Sequence, residues 1–530
     1  MKTQQITAPL NASWSRRALL GAAAASLIRP ARAAPLSVLR FVPGSAPAAP
    51  DPLIATPVAR CQSHMIWDTL FGQTAAGAPA PQMVAAHSVS EDLLVWRFTL
   101  RPGLRFHDNS LVTAKDCVAS IRRWGRHRVL GIELLRRTDA ITVLDDRSFE
   151  LRLHQPYPLM LYALGSDLCF VLPEALANQQ GAAPPATIIG SGPFRYHRGP
   201  DGQPSFERFA GYIPAPGPAD FTAGAKRVLF DQVDWIAPAD PALVQRALQR
   251  GDIDWWHGPA IDTLPALRDS PGIRVAIADP TGTMPALCLN HLQPPFNNAR
   301  LRRAMLLATD QDEFLQAAMG SEPELTKTGV GIFTPGTPFA SEVGLDVLTS
   351  PRDIDLVRRL VTESGYRNET IVLLVPSDIP RIQALAQVAG DLFERIGLVV
   401  ERINLEWTAL LQRRTLKDPT TAGGWSAFCT TYSGLATASP ANHLPIGGGT
   451  GDSAAGWTSS KRIDSLRDAW FDAADLPGQQ TICRALQRVA WEEVPYIPLG
   501  QWFTPSATRT NLSAVPRAPF PVFWGVGREG

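Results

Sequence analysis

The most definite pattern of hydrophobic and polar positions lies close to residue 100. "VWRFTLR" (95–101) alternates apolar and polar residues and predicts a strand with one buried face. Asp108-Asn109 predicts a turn, because asparagine tolerates the left-handed backbone conformation. Thr113 and Asp116 are spaced as a helix-capping pair, and apolar residues then recur at helical spacing. This region therefore predicts a strand, a turn and a capped helix.

The same two periodicities continue along the chain and predict an α/β fold with mixed sheets. Strands are predicted at 140–144, 148–154, 190–196, 228–237, 252–256, 371–377 and 398–405, and helices at 64–72, 241–250, 379–397 and 461–491. Residues 286–320 predict a strand, a break at Pro294-Pro295 and a helix. The strand–helix–strand order of 371–405 implies parallel pairing across a right-handed crossover.

The first 33 residues have the composition of an export signal. Arg16 and Arg17 precede the apolar run "ALLGAAAASLI" (18–28), and Ala31-Arg32-Ala33 matches a cleavage site. The paired arginines favour the twin-arginine route, whereas Ala18-Leu19-Leu20 in place of Phe-Leu-Lys leaves an ordinary secretory signal open. An uncleaved anchor is the alternative, although the apolar run is too short to span a bilayer. We expect an exported, periplasmic protein that is soluble after signal cleavage.

Composition and charge exclude several classes of function. The chain has 50 basic and 49 acidic residues; without residues 1–33, which carry five of the basic ones, 45 remain against 49, a formal charge of −4. There is no basic block, so nothing favours a nucleic-acid partner. The nine histidines and six cysteines show no metal-binding spacing, and no cofactor is expected. The cysteines could form disulfides in an oxidising compartment, but the sequence selects no pairing.

Several stretches, in their order along the chain, resemble family 5 of the bacterial extracellular solute-binding proteins. They are "WDTLFG" (67–72), "WRFTLRPGLRFHDNSLVTAKDCVASIRRW" (96–124), "GSGPFRY" (190–196), "LNHLQPPFNNARLRRAMLLATD" (289–310) and "VPYIP" (494–498). The second follows the family's W-x-F-x-L-R-x-G-x-x-F-H-D-G-x-x-x-T-A-x-D-V pattern closely, with Asn109 for glycine and Cys117 for valine. We interpret it as a scaffold element and expect His107 to be a structural hydrogen-bonding residue.

The resemblance implies a two-lobed, periplasmic-binding-protein-like α/β fold with a hinge between the lobes and an extra subdomain on the N-terminal lobe. The implied boundaries assign 34–80, 190–285 and 500–530 to the first lobe, 81–189 to the subdomain and 286–499 to the second lobe. Such a protein captures a small organic solute between its lobes, passes it to the membrane permease of an ABC importer and catalyses nothing itself. A monomer is expected.

The resemblance also suggests where a ligand would bind. Peptide binders of the family carry a short second-lobe run, aromatic-Cys-Ala-Asp-Tyr, whose aspartate pairs with the peptide's α-ammonium. The matching run here is "FCTTY" (428–432), with Thr431 in the position of the acid, and no Asp or Glu occurs from 419 to 451. A buried ammonium without a carboxylate is costly. The predicted ligand-binding residues are Thr431, Tyr432, Trp425, Trp502, Phe428, Ser433, Gln501 and Trp407.

Peptides remain the first expectation for the ligand, and other classes stay open. A non-peptide ligand is the alternative: an opine, a glutathione-like compound or a metal chelate, for which His64, His291 and His443 are the histidines to test. An exported hydrolase is a remote alternative, because the sequence has no G-x-S-x-G or S-x-x-K motif. "IGGGTGD" (446–452) lacks the ending of a phosphate-binding loop and is interpreted as a surface loop.

Overall fold

The computed structural model describes residues 36–47, 49–166, 168–179, 187–320, 322–446, 456–513 and 515–529. From Val38 onward the chain forms one compact unit. The predicted signal peptide lies outside the described residues, and so does the predicted loop beyond Ile446. In the described ranges, no helix has both the length and the apolar character needed to cross a membrane.

Strands and helices alternate along much of the chain. The strands are β1 (Val38–Val42), β2 (Phe71–Gln73), β3 (Pro79–Pro81), β4 (Val84–Val89), β5 (Val95–Leu100), β6 (Thr138–Val143), β7 (Ser148–Leu153), β8 (Phe194–Arg198), β9 (Pro204–Arg208), β10 (Gln232–Trp235), β11 (Trp255–His257), β12 (Ile273–Ile277), β13 (Thr283–Leu289), β14 (Thr326–Lys327), β15 (Ile371–Pro376), β16 (Val400–Leu405), β17 (Ala427–Ser433), β18 (Ile497–Pro498), β19 (Gln501–Trp502) and β20 (Pro505–Arg509). The α-helices are α1 (Pro57–Ile66), α2 (Ala114–Trp124), α3 (Val129–Arg136), α4 (Met160–Ser166), α5 (Glu174–Ala177), α6 (Pro241–Arg250), α7 (Leu264–Arg268), α8 (Ala299–Ala308), α9 (Gln311–Met319), α10 (Asp346–Thr349), α11 (Ile354–Glu363), α12 (Pro380–Arg395), α13 (Trp407–Arg413), α14 (Lys461–Asp472) and α15 (Leu476–Glu493). Single 3₁₀ turns lie at Ile261–Thr263, Pro323–Leu325, Thr420–Ala422 and Leu444–Ile446.

The first lobe is built on a mixed sheet with the order β12-β20-β11-β1-β10-β9-β8. One face carries a cluster of aromatic rings, in which the ring of Phe41 lies 5.1 Å from those of Trp235, Trp255 and Phe523. The other face is covered by α6 and α7, whose apolar residues pack with Val42. Burial of both faces explains why these strands are rich in apolar residues rather than strictly alternating.

The second lobe is built on a separate mixed sheet with the order β14-β19-β13-β17-β15-β16, and β18 also pairs with β13. The predicted parallel unit is confirmed, because β15 and β16 pair in parallel and α12 connects them. The α/β fold with two lobes and mixed sheets is therefore as predicted. Residues 283–285 and 501–502 pair in this second sheet, although the predicted boundaries placed them in the first lobe. The remaining boundaries stay a prediction.

A third sheet, with the order β4-β5-β7-β6, forms the core of the predicted extra subdomain together with α2. The scaffold stretch has its predicted structure: Asn109 has a φ of 69°, and the amide and hydroxyl of Thr113 donate to the Asp116 carboxylate at 2.8 and 2.7 Å. The apolar face of the helix that follows is buried; it comprises Ala114, Cys117, Val118, Ile121 and Trp124. Local signals thus determine this region.

His107 has the structural role that the sequence suggested. Its Nδ1 accepts a hydrogen bond from the amide of Gly190 at 3.1 Å, so its proton lies on Nε2, which donates to the carbonyl of Gly192 at 3.1 Å. Burial lowers the pKa of His107 to about 4 and keeps the ring neutral. The ring therefore joins the scaffold stretch to the "GSGPFRY" turn.

Three predicted helices differ from the observed ones. The first of them spans Pro57–Ile66 instead of 64–72, because Thr56 caps it with Pro57 in its first turn. The helix after Pro294-Pro295 is divided into α8 and α9, and Asp310 caps the second part. The helix predicted at 461–491 is divided into α14 and α15, because the Asp475 side chain accepts the amide of Gly478 and starts a new helix.

Candidate functional site

The carboxyl ends of strands from both sheets meet at one place in the molecule. In the first sheet, β1, β10, β11 and β12 run in the same direction, as their pairings with one another and with β20 require. In the second sheet, β15, β16, β17 and β19 share one direction. We call the side on which these strands end the carboxyl edge of each sheet.

Two short crossing segments, residues 278–282 and 503–504, join the two carboxyl edges. The first connects the end of β12 to the start of β13, and the second connects the end of β19 to the start of β20. Three Cα–Cα steps separate Trp502 from Pro505, so the edges lie within about 11 Å of each other there. Ligands of open α/β sheets bind outside the carboxyl ends of the strands. The crevice between the two edges is therefore the candidate site.

The second lobe also makes direct side-chain contacts with the rest of the molecule. The carboxylate of Glu322 in the second lobe accepts from Arg268 of α7 at 3.1 Å. Arg137, next to the third sheet, donates to Asp472 of α14 at 2.7 Å. Beyond the end of β17, Leu435 packs against the aromatic core of the first lobe. The second lobe therefore contacts the rest of the molecule at several places besides the crossing segments.

Most of the predicted ligand-binding residues lie at the carboxyl edge of the second sheet. They are Thr431, Tyr432 and Ser433 at the end of β17, Gln501 and Trp502 in β19, and Trp407 at the start of α13, directly after β16. Asp378 and Trp407, which are 29 positions apart, also meet there, since the Asp378 carboxylate accepts the amide of Trp407 at 2.7 Å. One edge thus collects residues that are far apart in sequence.

Strand alternation divides this set between the two faces of the sheet. Ser433 and Trp502 both pair with Thr283, so their side chains share one face with Thr431, two residues before Ser433. Tyr432 lies on the opposite face, where its hydroxyl is 3.9 Å from the sulfur of Cys288. Burial raises the pKa of this phenol. The hydroxyl of Tyr432 is therefore directed into the lobe, and only part of the ring can border the crevice.

Trp425 and Phe428 do not border the crevice and were wrongly included among the ligand-binding residues. Trp425 precedes β17 and so lies at the opposite edge of the sheet. Both side chains have 0% exposure, and their rings pack 5.1 Å apart, with Trp457 5.5 Å from Trp425. The prediction failed because aromatic residues close together in sequence occur both in fully buried strands and around ligand pockets, and the sequence does not distinguish the two. The structure assigns both residues to the core of the second lobe.

Thr431 stays a predicted ligand-binding residue, and it lies near the end of β17 at the carboxyl edge of the second sheet. It is half-buried, and among the described residues its hydroxyl has no hydrogen-bond partner. Its cross-strand neighbour is Pro285, whose backbone nitrogen carries no hydrogen and so cannot donate to the Thr431 hydroxyl. The hydroxyl is therefore available to a ligand at the edge.

Two charged residues of the crevice were missed by the sequence analysis. Asp279 lies in the first crossing segment, two residues after β12 ends. Arg381 is the second residue of α12, which begins four residues after β15 ends; it is half-buried, and burial lowers its pKa. Neither has an ion-pair partner among the described residues. The signal that could have found them is their position just beyond a buried strand.

The histidines considered for metal binding lie in separate surroundings. The ring of His64 stacks on Phe520 in the first lobe with 5.2 Å between centroids. In the second lobe, Nε2 of His443 lies 2.9 Å from the carbonyl of Ile332, and burial lowers the pKa of His443 to about 4. Burial also lowers the pKa of His291, to about 3. The described part of the chain contains no group of three His, Cys, Asp or Glu residues placed to hold a metal ion.

All six cysteines are buried free thiols. Burial raises the pKa of each thiol that lies in β13 or β17, Cys288 and Cys429. The structure therefore contains none of the disulfides that the sequence left open.

A cavity of about 670 Å³ lies beside β8, β9 and β10, at the opposite end of the first sheet from β12 and β20, where the crossing segments attach. Its charged side chains include Arg40, Arg198 and Asp201, which are exposed. Exposed charges bind weakly because water screens them. We therefore place the candidate site at the crevice and not in this cavity.

Comparisons with known proteins agree with the fold. Residues 78–453 match the family model of bacterial extracellular solute-binding proteins, family 5 Middle. The chain is 33% identical over 487 residues to the "Probable peptide ABC transporter periplasmic-binding protein y4tO" of Sinorhizobium fredii (strain NBRC 101917 / NGR234), covering 90% of this chain and 91% of that protein.

Solved structures of similar fold include two with bound solutes. One is the protein AgaA from A. tumefaciens R10 in complex with agropinic acid, with a TM-score of 0.75, 20% identity and coverage of 93% of this chain and 99% of that one. The other is DppA from Helicobacter pylori in complex with the peptide STSA, with a TM-score of 0.75, 19% identity and coverage of 93% and 98%. The chain therefore belongs to family 5 of the bacterial extracellular solute-binding proteins, the substrate-binding components of ABC importers.

Proposed function

We propose that this chain is exported, binds a small organic solute in the crevice between the two carboxyl edges and delivers it to a membrane permease. The observation that carries the proposal is the pair of crossing segments, which hold two carboxyl edges opposite each other. Because these segments are short, rotation about them moves one lobe as a body against the other. Residues 1–33 are the export signal, and the mature protein acts as a monomer without a nucleic-acid partner.

The crevice suits a solute with a carboxylate and neutral hydrogen-bonding groups. Arg381 supplies a guanidinium that no described acid neutralises, and a carboxylate is its natural bidentate partner. Thr431, Ser433 and Trp502 add two hydroxyls and a flat ring on one face. Peptides, opines and glutathione-like compounds all carry such a carboxylate, and peptides are the first class to test.

A non-peptide ligand is the second candidate, and one observation favours it. At the position where peptide binders have an acid, Thr431 offers only a hydroxyl, which recovers little of the cost of burying an ammonium. The neighbour AgaA was solved with agropinic acid, so the fold itself accommodates such a solute. A thermal-shift screen should therefore include di- and oligopeptides, opines, glutathione and nickel chelates.

The screen has a defined expected result. One class of compound should raise the melting temperature in a saturable way, because a ligand at one hundred times its Kd adds about 2.7 kcal/mol to the free energy of unfolding. No product should form from that compound. If no compound stabilises the protein, and mass spectrometry of denatured native protein releases no small molecule, the proposed function is wrong.

Thr431 provides a matched pair of variants for calorimetry with the ligand found in the screen. Thr431→Ala should weaken binding by roughly twofold to tenfold, the value of one neutral hydrogen bond. Thr431→Asp should shift preference toward ligands with a free ammonium. Thr481→Ala, at an exposed helical position, is the control and should leave affinity unchanged. Unaltered ligand preference in both Thr431 variants would contradict the placement of Thr431 in the crevice.

A further inference from the structure

We infer that the crevice takes a solute with a primary ammonium or guanidinium group, held at the first crossing segment by the Asp279 carboxylate and the Gln501 amide oxygen. This inference rests on the proposed function and names the chemistry of its ligand. It places the acid that recognises the cation outside β17, on the chain that joins the lobes.

Asp279 is a carboxylate without a counter-ion in a recessed position. One of its oxygens accepts from the amide and the hydroxyl of Thr281, each at 2.7 Å. No positively charged side chain among the described residues pairs with it. The residue is half-buried, yet burial raises its pKa to about 6. A half-buried carboxylate that no described cation neutralises is costly to ionise, and a bound cation would remove that cost.

Gln501 supplies a second, independent observation. Its side chain is 1% exposed, and Nε2 donates to the carbonyl of Thr281 at 2.7 Å. This hydrogen bond fixes the orientation of the amide, because a carbonyl can only accept. The remaining atom, Oε1, is buried and has no hydrogen-bond partner among the described residues. Buried polar atoms are nearly always paired, so an unpaired acceptor beside the crevice calls for a donor from elsewhere.

The two acceptors converge on the same residue. Asp279 binds the amide and hydroxyl of Thr281, and Gln501 binds its carbonyl. Both side chains therefore contact Thr281 at the junction of the lobes, and the atoms that remain without a partner, the second Asp279 oxygen and Gln501 Oε1, can only accept. A group with several N–H donors and a positive charge satisfies both, whereas a carboxylate or an ether satisfies neither.

Arg381 completes a division of charge across the crevice. It lies at the carboxyl edge of the second sheet, while Asp279 lies where the chain leaves the first sheet. A zwitterionic solute can therefore place its cationic end at the crossing segment and its anionic end at the second lobe. This arrangement explains how Thr431 can replace an acid without loss of ammonium recognition.

Calorimetry with paired probes tests the inference. The probes are dipeptides, arginine-derived opines and glutathione, each with a free amine and in its N-acetylated form. Asp279→Asn keeps the turn to Thr281 and removes the charge; it should weaken binding of the free amine by about 30-fold or more. Asp279→Glu should retain the preference for the free amine. Asp201→Asn is the control, because Asp201 accepts the amide of Gln203 in the same kind of turn at an exposed position.

Each outcome decides between the claims. Preference for the free amine that is lost in Asp279→Asn and kept in Asp201→Asn supports the inference. Equal binding of free and acetylated probes, binding of acetylated probes alone, or unchanged affinity in Asp279→Asn overturns it and leaves the proposed function intact. If no probe binds the parent protein and nothing is released from native material, the proposed function and this inference fail together.

Discussion

A Lys226→Met variant is expected to lose about 3–5 kcal/mol of unfolding free energy, because it leaves the Asp68 carboxylate buried without its cation. The two side chains are 0% and 1% exposed, and Nζ lies 2.8 Å from the carboxylate. Folded domains are stable by only about 5–15 kcal/mol. This single change should therefore remove a large part of the stability of the chain.

The cost is high because Asp68 organises several segments of the first lobe. Besides Lys226, its carboxylate accepts from the hydroxyl of Tyr212 at 2.8 Å and from the amide of Gln82 at 3.3 Å. The amide of Asp68 donates to the hydroxyl of Ser191, and Nζ of Lys226 lies 5.0 Å from the ring centre of Trp524. The "WDTLFG" stretch, the "GSGPFRY" turn and the C-terminal segment thus meet at one ion pair.

Urea denaturation measures the effect. The control is Arg250→Met, since Arg250 and Asp252 form an exposed pair at 2.8 Å with side chains 65% and 56% exposed. Exposed pairs contribute about 0–1 kcal/mol. Equal losses of unfolding free energy in the two variants would contradict the claim that the buried Lys226–Asp68 pair matters more for stability than an exposed pair.

The second large effect is expected at Trp425, where replacement by alanine should cost about 3–5 kcal/mol. The indole is fully buried between Phe428 and Trp457, so its loss leaves a cavity in the second lobe. The ranking of ligands should stay as in the parent protein. Thermal and urea denaturation with the ligand screen provide both measurements.

Two further variants make this test specific. Among the described residues, the indole nitrogen of Trp425 has no hydrogen-bond partner, so Trp425→Phe loses only ring volume and should cost much less than Trp425→Ala. Trp407→Ala, at the carboxyl edge, should weaken binding with a smaller loss of stability. A Trp425→Ala protein that is as stable as the parent but binds a different class of ligand would contradict the assignment of Trp425 to the core and place it among the ligand-binding residues.

The sequence was sufficient at several places where structure is determined by nearby residues. The turn at Asn109, the capping by Asp116 and the helix that begins at Pro241 were all predicted, because each depends on contacts within a few positions. The breaks in the helices at Asp310 and Asp475 were missed. Each of these aspartates caps a new helix within a continuous apolar pattern, and periodicity alone does not record such a restart.

The site was only partly predictable because it forms from strand ends that are distant in sequence. Thr431 and Trp502 were identified through the family resemblance, and pairing of both strands with β13 brings them to one edge. Trp425 was misplaced, since composition does not distinguish a buried ring from one beside a ligand. Asp279 and Arg381 are ordinary charged residues in the sequence, and they gain significance only when the carboxyl edges face each other.

The central claim is that the two carboxyl edges close on a solute, and a distance between them tests it most directly. Ser45 follows the end of β1 and Ser377 follows the end of β15; both are exposed. All six native cysteines are buried, so spin labels will attach to Ser45→Cys and Ser377→Cys selectively. Pulsed electron–electron double resonance measures the distance distribution between the two labels. When a stabilising ligand is added, the mean distance should shorten by several ångströms and the distribution should narrow. An identical distance distribution with and without that ligand would contradict the account.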